Sequence, residues 1–391
     1  MPSSAQRAAI AGIGQTRFAK SLGVSEAAVA CQAIAAALDD AGLAPRDVDG
    51  LALYDIESNG VADTVTMLGL DRVGFFATHS HGGGSYVAVV QSAAAAITTG
   101  LATTVVCFRA RNRGRQSSAG EGMHEGGRPW EKIERRIGGA YQYQVPFGVV
   151  APAHEMALIA RRHMLDHGTT EAHFGAVAVA MRAHAVRNPN AVMRTPMTLD
   201  DHRASRWVAE PLRLLDCCIE TDGGCAIVVT SLERARDLRR RPVRIVASEQ
   251  CLGTAHYRTA EWFAHDRRRW IATAADRLWG RAGVRPADVD AAMLYDHFTP
   301  MVLIALEDWG FCGLGEAGAF AEGGALEGPA GRLPVNTHGG QLSEAFIHGF
   351  NNWNEAVRQL RGTSTCQVPD AELVLVAAAS SDPYGAMLLG R

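Results

Sequence analysis

Continuous apolar runs alternate along this chain with alanine-rich stretches whose apolar positions recur at helical spacing. The pattern predicts strands at 8–12, 50–54 and 103–108, with helices at 25–41 and 86–99 between them. After Arg241 it resumes with strands at 243–247, 291–294 and 373–378. Runs apolar at every position suit strands buried on both faces, and their alternation with helices predicts stacked α/β units. From about 113 to 208 the rhythm breaks. A glycine-rich loop at 114–127, helices at 154–167 and 171–187, and an Asn-Pro turn near Asn188 read as an insertion.

The two halves repeat one another. Residues 41–55 align without gaps on 282–296, each running from a helix end through a glycine cap and a proline-led turn into an apolar strand. Those strands end in Tyr54-Asp55 and Tyr295-Asp296. Further on, His81-Gly82-Gly83 and His338-Gly339-Gly340 each precede a helix. A long-period duplication makes each half one α/β unit, and two such units are expected to pack face to face. The expected division is 1–240, carrying the insertion at about 113–208, and 241–391.

Composition narrows the function. With 391 residues, 47% of them hydrophobic, the chain can bury a large core, and a net charge of -3 gives no bulk attraction to nucleic acid or anionic membrane. No apolar run reaches bilayer length and the amino terminus has no secretory pattern, so the cytoplasm is the expected compartment. The 8 cysteines include no C-x-x-C pair, which points to free thiols, mostly in the core. His79-Ser80-His81 alternates like a strand end with no third ligand nearby, so no metal site is expected. Gly12-Ile13-Gly14 lacks the third glycine of a dinucleotide fingerprint, and no P-loop, G-x-S-x-G or H-E-x-x-H is present. Arginine runs at 109–115, 239–241 and 267–269 read as solvated faces; a phosphate-bearing ligand beside one of them is the alternative.

Chemistry is expected at strand carboxyl ends and helix amino termini. Both His-Gly-Gly turns and residues 295–300 fall there. Gly82, Gly83 and Gly84 would let a ligand carbonyl approach the backbone and meet successive N–H groups; close packing between the halves is the other use for them. The segment 335–349 places Asn336, His338, Glu344 and His348 within a short turn and helix start. That is more polar groups than a core segment usually satisfies, which favours an active-site role.

The opening 9–18, the segment from Asp216-Cys217-Cys218 to Asp222-Gly223-Gly224-Cys225-Ala226, and 335–340 resemble the thiolase superfamily, in particular its lipid-transfer-protein branch. Asn336 to Leu342 with Ile347-His348-Gly349, together with Tyr295 to Pro300, is similar to thiolase-like aldolases that cleave steroid side chains. The resemblance covers nearly the whole chain. It implies a thiolase fold, with duplicated α/β halves in a five-layer αβαβα sandwich and an inserted loop domain. It also implies a homodimer, acyl-CoA thioester substrates and a partner with an OB-fold and a zinc ribbon. No cofactor is expected on this chain, because the substrate carries coenzyme A.

The likeness is also informative where it fails. A thiolase nucleophilic cysteine would fall at about His81 or Gly82, the Gly-His-Pro histidine at Phe346, and a second cysteine in the strand at 373–378; none is present. Without a thiolate no acyl-enzyme of the usual kind can form. In the aldolases two tyrosines are thought to handle protons. Tyr295 matches one, and the other position is Phe346. Either Tyr295, His338 or His348 with a water takes over that role, or the substrate differs, or activity is lost. The resemblance thus implies Tyr295, His297, His338 and His348 as catalytic residues. Tyr295 transfers the proton at the substrate hydroxyl, His297 tunes it, His338 with N–H groups around Gly83 and Gly340 holds the thioester oxygen, and His348 is a fallback acid. His81, Gly82, Gly83, Gly84, Asn336, Gly339, Gly340 and Phe346 are expected to bind substrate. Two alternatives stand beside retro-aldol cleavage: another thiolase-like carbon–carbon bond reaction, and a non-catalytic subunit that binds acyl-CoA or a partner.

Overall fold

The computed structural model describes residues 8–55, 60–80, 82–113, 144–252, 267–378 and 384–391. Its strands are β1 (Ala8–Gln15), β2 (Gly50–Tyr54), β3 (Phe75–His79), β4 (Thr104–Arg111), β5 (Trp207–Ala209), β6 (Leu212–Arg213), β7 (Gly223–Ser231), β8 (Val243–Cys251), β9 (Ala291–Leu294), β10 (Leu373–Ala378) and β11 (Tyr384–Gly390). The helices that matter here are α1 (Glu26–Ala41), α2 (Val61–Leu68), α3 (Ser85–Thr99), α4 (Pro152–His167), α5 (Glu171–Arg187), α6 (Leu199–Ala204), α7 (Leu232–Ala235), α8 (Arg267–Ala282), α9 (Thr299–Asp308), α10 (Ala317–Ala321), α11 (Gly340–Ser343) and α12 (Phe350–Arg361).

Nine of these strands form one sheet in the order β3-β2-β4-β7-β1-β8-β11-β10-β9. Its halves meet at β1 and β8 through only Ala9–Arg244 and Ile10–Val243. Outward from this seam the two sides match. β7 lies antiparallel between β1 and β4, with β2 parallel to β4 and β3 parallel to β2. On the other side β11 lies antiparallel between β8 and β10, β9 runs parallel to β10, and a parallel bridge from Ala292 to Val335 takes the place of β3.

The sequence repeat reappears in the hydrogen bonds. Gly42 and Gly283 both take the left-handed conformation, with φ of 76° and 70°. Asp47 caps the Ala44 N–H and Asp288 the Arg285 N–H, each at 2.8 Å. Asp49 then receives the Thr103 and Thr104 N–H groups, as Asp290 receives those of Glu372 and Leu373.

Strand alternation sorts side chains into layers. Ala9, Ala11, Leu51 and Leu53 face α1 on one outside, while Ala292, Leu294, Leu375 and Ala377 face the α8 and α9 side on the other. Ala8, Ile10, Ala52, Tyr54, Met293, Tyr295 and Val376 face a central layer made by α3 and α12. The layers are therefore helix, sheet, helix, sheet, helix. Gly12 and Gly14 serve this packing: a Cβ on them would stand 2.3 Å from the Ala37 carbonyl oxygen and 2.2 Å from that of Ala33 in α1.

Three strands run further than apolar patterning predicts, two of them because buried charged residues continue them. β4 extends through Arg109 and Arg111, and β8 through Glu249, which pairs with Arg277 at 2.7 Å and Arg281 at 2.8 Å. β1 continues to Gln15. All eight cysteines are free, but only Cys107, Cys225 and Cys366 are buried; the other five are half-buried, so the core expectation is too broad. From the insertion, α5 packs against α9, α10 and α11, while the loop at 114–127 lies outside the described residues. Among the described residues no helix is long and apolar enough to cross a membrane, and no cluster of potential ligands could hold a metal ion.

Candidate active site

The duplicated Tyr-Asp ends of β2 and β9 enter the central layer from opposite halves of the sheet, and there the repeat diverges. Tyr54 donates its hydroxyl to the Gly82 carbonyl at 2.7 Å, which fixes the glycine turn ahead of α3. Tyr295 instead lies against Tyr86 of α3, with centroids 5.6 Å apart and planes 26° from parallel. Its other neighbour is His297, at 4.7 Å between ring centroids. Gly349, with φ of 81°, closes the gap: a Cβ there would meet Tyr295 and Tyr86, each at 3.0 Å. The residue before it, His348, holds φ of 48° and places its ring 4.6 Å from Phe346 and 5.1 Å from Tyr54. Thus Tyr295, His297, Phe346 and His348 converge.

Strand alternation on β4 supplies the charge. Arg109 and Arg111 are fully buried and Arg113 is 8% exposed, contrary to the expectation of a solvated face. Arg109 donates Nε–H to His348 Nδ1 at 3.0 Å and an Nη1 proton to the Tyr54 carbonyl at 3.1 Å. Arg111 donates to the Phe346 carbonyl at 2.6 Å and to Glu220 at 2.9 Å, with its guanidinium 4.4 Å from the Phe346 ring centroid. Buried arginines need such partners to offset lost hydration. Burial, followed by Arg109, Arg111, Arg113 and His297, pushes the His348 imidazole well below its ordinary pKa.

The second His-Gly-Gly turn is not open to a ligand in the expected way. Asp296 accepts the Gln341 N–H at 2.9 Å and the Leu342 N–H at 3.3 Å, so the carboxylate of the repeat occupies the start of α11. A Cβ on Gly340 would lie 2.0 Å from Asp296 Oδ2. Burial raises the Asp296 pKa to about 6, opposed by those N–H donors. Asn336 is likewise engaged: its Oδ1 accepts the Leu294 N–H at 2.7 Å and its Nδ2 donates to the Leu294 carbonyl at 2.9 Å. Asn336, Gly339 and Gly340 therefore build the end of β9. A Cβ on Gly339 would meet the Ala185 Cβ at 2.7 Å, which ties the same turn to α5.

His338 stands in a separate buried polar group. Its Nε2 is 3.6 Å from Glu344, whose other contacts are Asn188 and Asn351 at 2.8 Å each. Burial, then Arg358 and His184, lowers the His338 pKa well below the imidazole range. Burial also raises Glu344 to about 7. Asn352 lies against both His338 and Tyr86, linking this group to the aromatic cluster. Gly82, Gly83 and Gly84 form the turn ahead of α3, whereas His81 lies outside the described residues.

Sequence reasoning missed Tyr54, Tyr86, Arg109, Arg111 and Asp296 as parts of this site. The repeat marked Tyr54 and Asp296, and the alternation of Arg109, Arg111 and Arg113 with Ala110 and Asn112 marked one face of a strand.

A family model described as thiolase C-terminal domain-like matches residues 231–381. The chain is 46% identical to the 17-hydroxy-3-oxo-4-pregnene-20-carboxyl-CoA lyase of Mycobacterium tuberculosis, covering 98% of this chain and 99% of that protein. It is 45% identical to the steroid side-chain-cleaving aldolase of Thermomonospora curvata, over 98% and 97% of the two chains. It belongs to the family of steroid side-chain-cleaving aldolases. The fold of this aldolase also superposes on a solved structure described as the Ltp2-ChsH2(DUF35) aldolase, with a TM-score of 0.88, 44% identity and 98% coverage of both chains. The aldolase is thus a carbon–carbon lyase of thiolase-like α/β fold.

Proposed function

We propose that this aldolase cleaves the Cα–Cβ bond of a β-hydroxyacyl-CoA thioester by a retro-aldol reaction, with a steroid side chain as the acyl class. A base takes the β-hydroxyl proton, the oxygen electron pair forms the carbonyl, and the electrons of the broken bond pass to Cα as a thioester enolate. Protonation of the enolate releases the shortened acyl-CoA. Such a site needs a base, a holder for the developing oxyanion and an acid.

The observation that carries this reading is the convergence of Tyr295, His297 and His348 beside the β4 arginines. Tyr295 handles the hydroxyl proton and His297 orients it. A free tyrosine titrates near pH 10, so a base role for Tyr295 requires the site to favour its anionic form. This reading gives the thioester oxygen to the His348 N–H and the backbone at Gly83, while the turn at Gly340 serves Asp296 instead. Thiolate chemistry has no support. Cys218, whose N–H reaches the His297 carbonyl at 2.9 Å, has its thiol pushed well up by burial.

The name of the Ltp2-ChsH2(DUF35) aldolase supports a partner of that kind for this chain. The reading gives that partner an OB-fold and a zinc ribbon and places the complex in the cytoplasm. A homodimer is supported by β3, which ends the sheet among the described residues with Phe76 66% exposed, since an apolar edge strand invites pairing. Phe346 favours one rival, a binding subunit without turnover. The purified chain, with and without a DUF35-type partner, should release a carbonyl product from one or more members of a panel of β-hydroxyacyl-CoA esters. Acyl-CoA binding with no product in either case would establish the non-catalytic reading.

A further inference from the structure

The contact between Arg109 and His348 restricts what that histidine can do. A guanidinium offers only donors, so its Nε–H at 3.0 Å must meet an imidazole nitrogen that carries no proton. Neutral His348 then carries its proton on Nε2. Protonating Nδ1 would set two donors face to face in a fully buried site. Arg109 has little freedom to turn away, because its Nη1 also donates to the Tyr54 carbonyl at 3.1 Å and β4 holds it between Ala110 and Phe108 in the sheet. His348 has equally little, with Tyr54 on one side, Phe346 on the other and Gly349 wedged against Tyr86 and Tyr295.

We propose that Arg109 is a positioning residue that locks His348 as a neutral Nε2–H donor, so that His348 holds the thioester oxygen by a hydrogen bond and does not transfer a proton. This inference rests on the retro-aldol reading and deepens it, replacing the expected acid role of His348. Every element packed around the ring supports the same state. β4 presents Arg109, Arg111 and Arg113, and His297 approaches from the end of β9; all four disfavour a second positive charge. The carboxylates nearby already answer arginines: Glu26 stands 4.0 Å from Arg109, Asp55 faces Arg109, and Glu220 pairs with Arg111 at 2.9 Å. Tyr54 contributes its ring face, with its hydroxyl committed to Gly82. A neutral donor held in place needs no reorganisation as the enolate charge develops. It also leaves the proton work to Tyr295.

Nitrogen-15 NMR of histidine-labelled protein tests the lock without any substrate, the His348 signals being assigned by their loss in His348→Gln. In the full chain the ring should stay neutral from pH 8 to 5, with Nε2 protonated and Nδ1 bare. In Arg109→Gln it should take up a proton at a higher pH than in the native chain, while burial, Arg111, Arg113 and His297 still hold it below the ordinary imidazole value. A His348 that protonates within that range in the native chain, or carries its proton on Nδ1, overturns the proposal whether or not the chain is an aldolase. If Arg109→Gln does not fold, the native titration alone decides.

Kinetics on the active complex give the second arm. Arg109→Gln should add an acid limb to kcat/KM, falling about tenfold per pH unit below the new pKa. Arg109→Lys, which retains a cationic donor, should lack that limb. So should Arg109→Gln combined with His348→Gln. A merely structural Arg109 would lower kcat/KM equally at every pH and in both backgrounds, and that result sinks the proposal. His348→Gln, a donor that cannot titrate, should retain at least ten times the activity of His348→Leu. Equal losses in the two folded variants would overturn the hydrogen-bond role of His348.

Discussion

Tyr295 lies on Tyr86 in a near-parallel stack, 5.6 Å between centroids, while the equivalent tyrosine of the first half, Tyr54, is tied by its hydroxyl to Gly82. One copy of the duplicated strand end has become structural and the other faces the aromatic cluster. Burial raises the Tyr86 hydroxyl far above the ordinary tyrosine range, so Tyr86 is unsuited to proton transfer. Tyr295→Phe should therefore lower carbonyl product release by about 10²–10⁴-fold, the usual scale for a general acid–base group, with little change in Tm. Full activity in that variant would remove Tyr295 from the mechanism.

Phe346 occupies the position where the resemblance places a second tyrosine. Its ring touches His348 and lies under Arg111, beside a buried cation able to favour a phenolate. Phe346→Tyr should accordingly change kcat by about tenfold or more on a β-hydroxyacyl-CoA ester, or shift which esters are cleaved. Unchanged rates across the panel would exclude position 346 from proton transfer.

The strands at 50–54 and 291–294 were legible to the residue, because both their faces are apolar and the turns before them repeat. The ends of β4 and β8 were not, since hydrophobic patterning stops before Arg109 and Glu249 whereas buried charges, paired with half-exposed partners, carry the strands on. The site was legible in its residue types but not in its partners. A His-Gly-Gly turn announces free N–H groups, yet Asp296, more than forty positions upstream, takes those of Gln341 and Leu342. Such pairing is set by the sheet order and leaves no local trace. Asn336 misleads for the same reason, being a clasp on Leu294.

The Asp296 clasp predicts an asymmetry among glycines. Gly340 has φ of 62° and no room for a Cβ, so Gly340→Ala should cost about 2 kcal/mol or more and disturb the neighbouring Tyr295. Gly280, inside α8 with open space around it, is the control: Gly280→Ala should be neutral or stabilise by up to about 1 kcal/mol. Thermal melts with activity assays decide. An unchanged Tm for Gly340→Ala would mean that Asp296 does not occupy the turn as described.

His184 joins α5 to the second His-Gly-Gly turn, with Nδ1 on the Asn336 carbonyl at 3.1 Å and Nε2 accepting the Gly328 N–H at 2.7 Å. Burial lowers its pKa to about 4, partly offset by the Asn336 contact. Because the folded value lies below the unfolded one near 6.5, this neutral imidazole stabilises the fold above pH 6.5, and that contribution is lost as pH falls through about 4. Across the window its loss amounts to about 3 kcal/mol. Asp296 and Glu344 act oppositely: raised to about 6 and about 7, they stabilise the fold when protonated and lose that contribution as pH rises through those values. Replacing His184 should lower Tm at pH 7.5, since Asn336 and Gly328 lose their partner, while making Tm less sensitive to acid between pH 6.5 and 4. If His184→Gln melted with the same dependence on pH as the native chain over that range, His184 would not be held neutral in the fold.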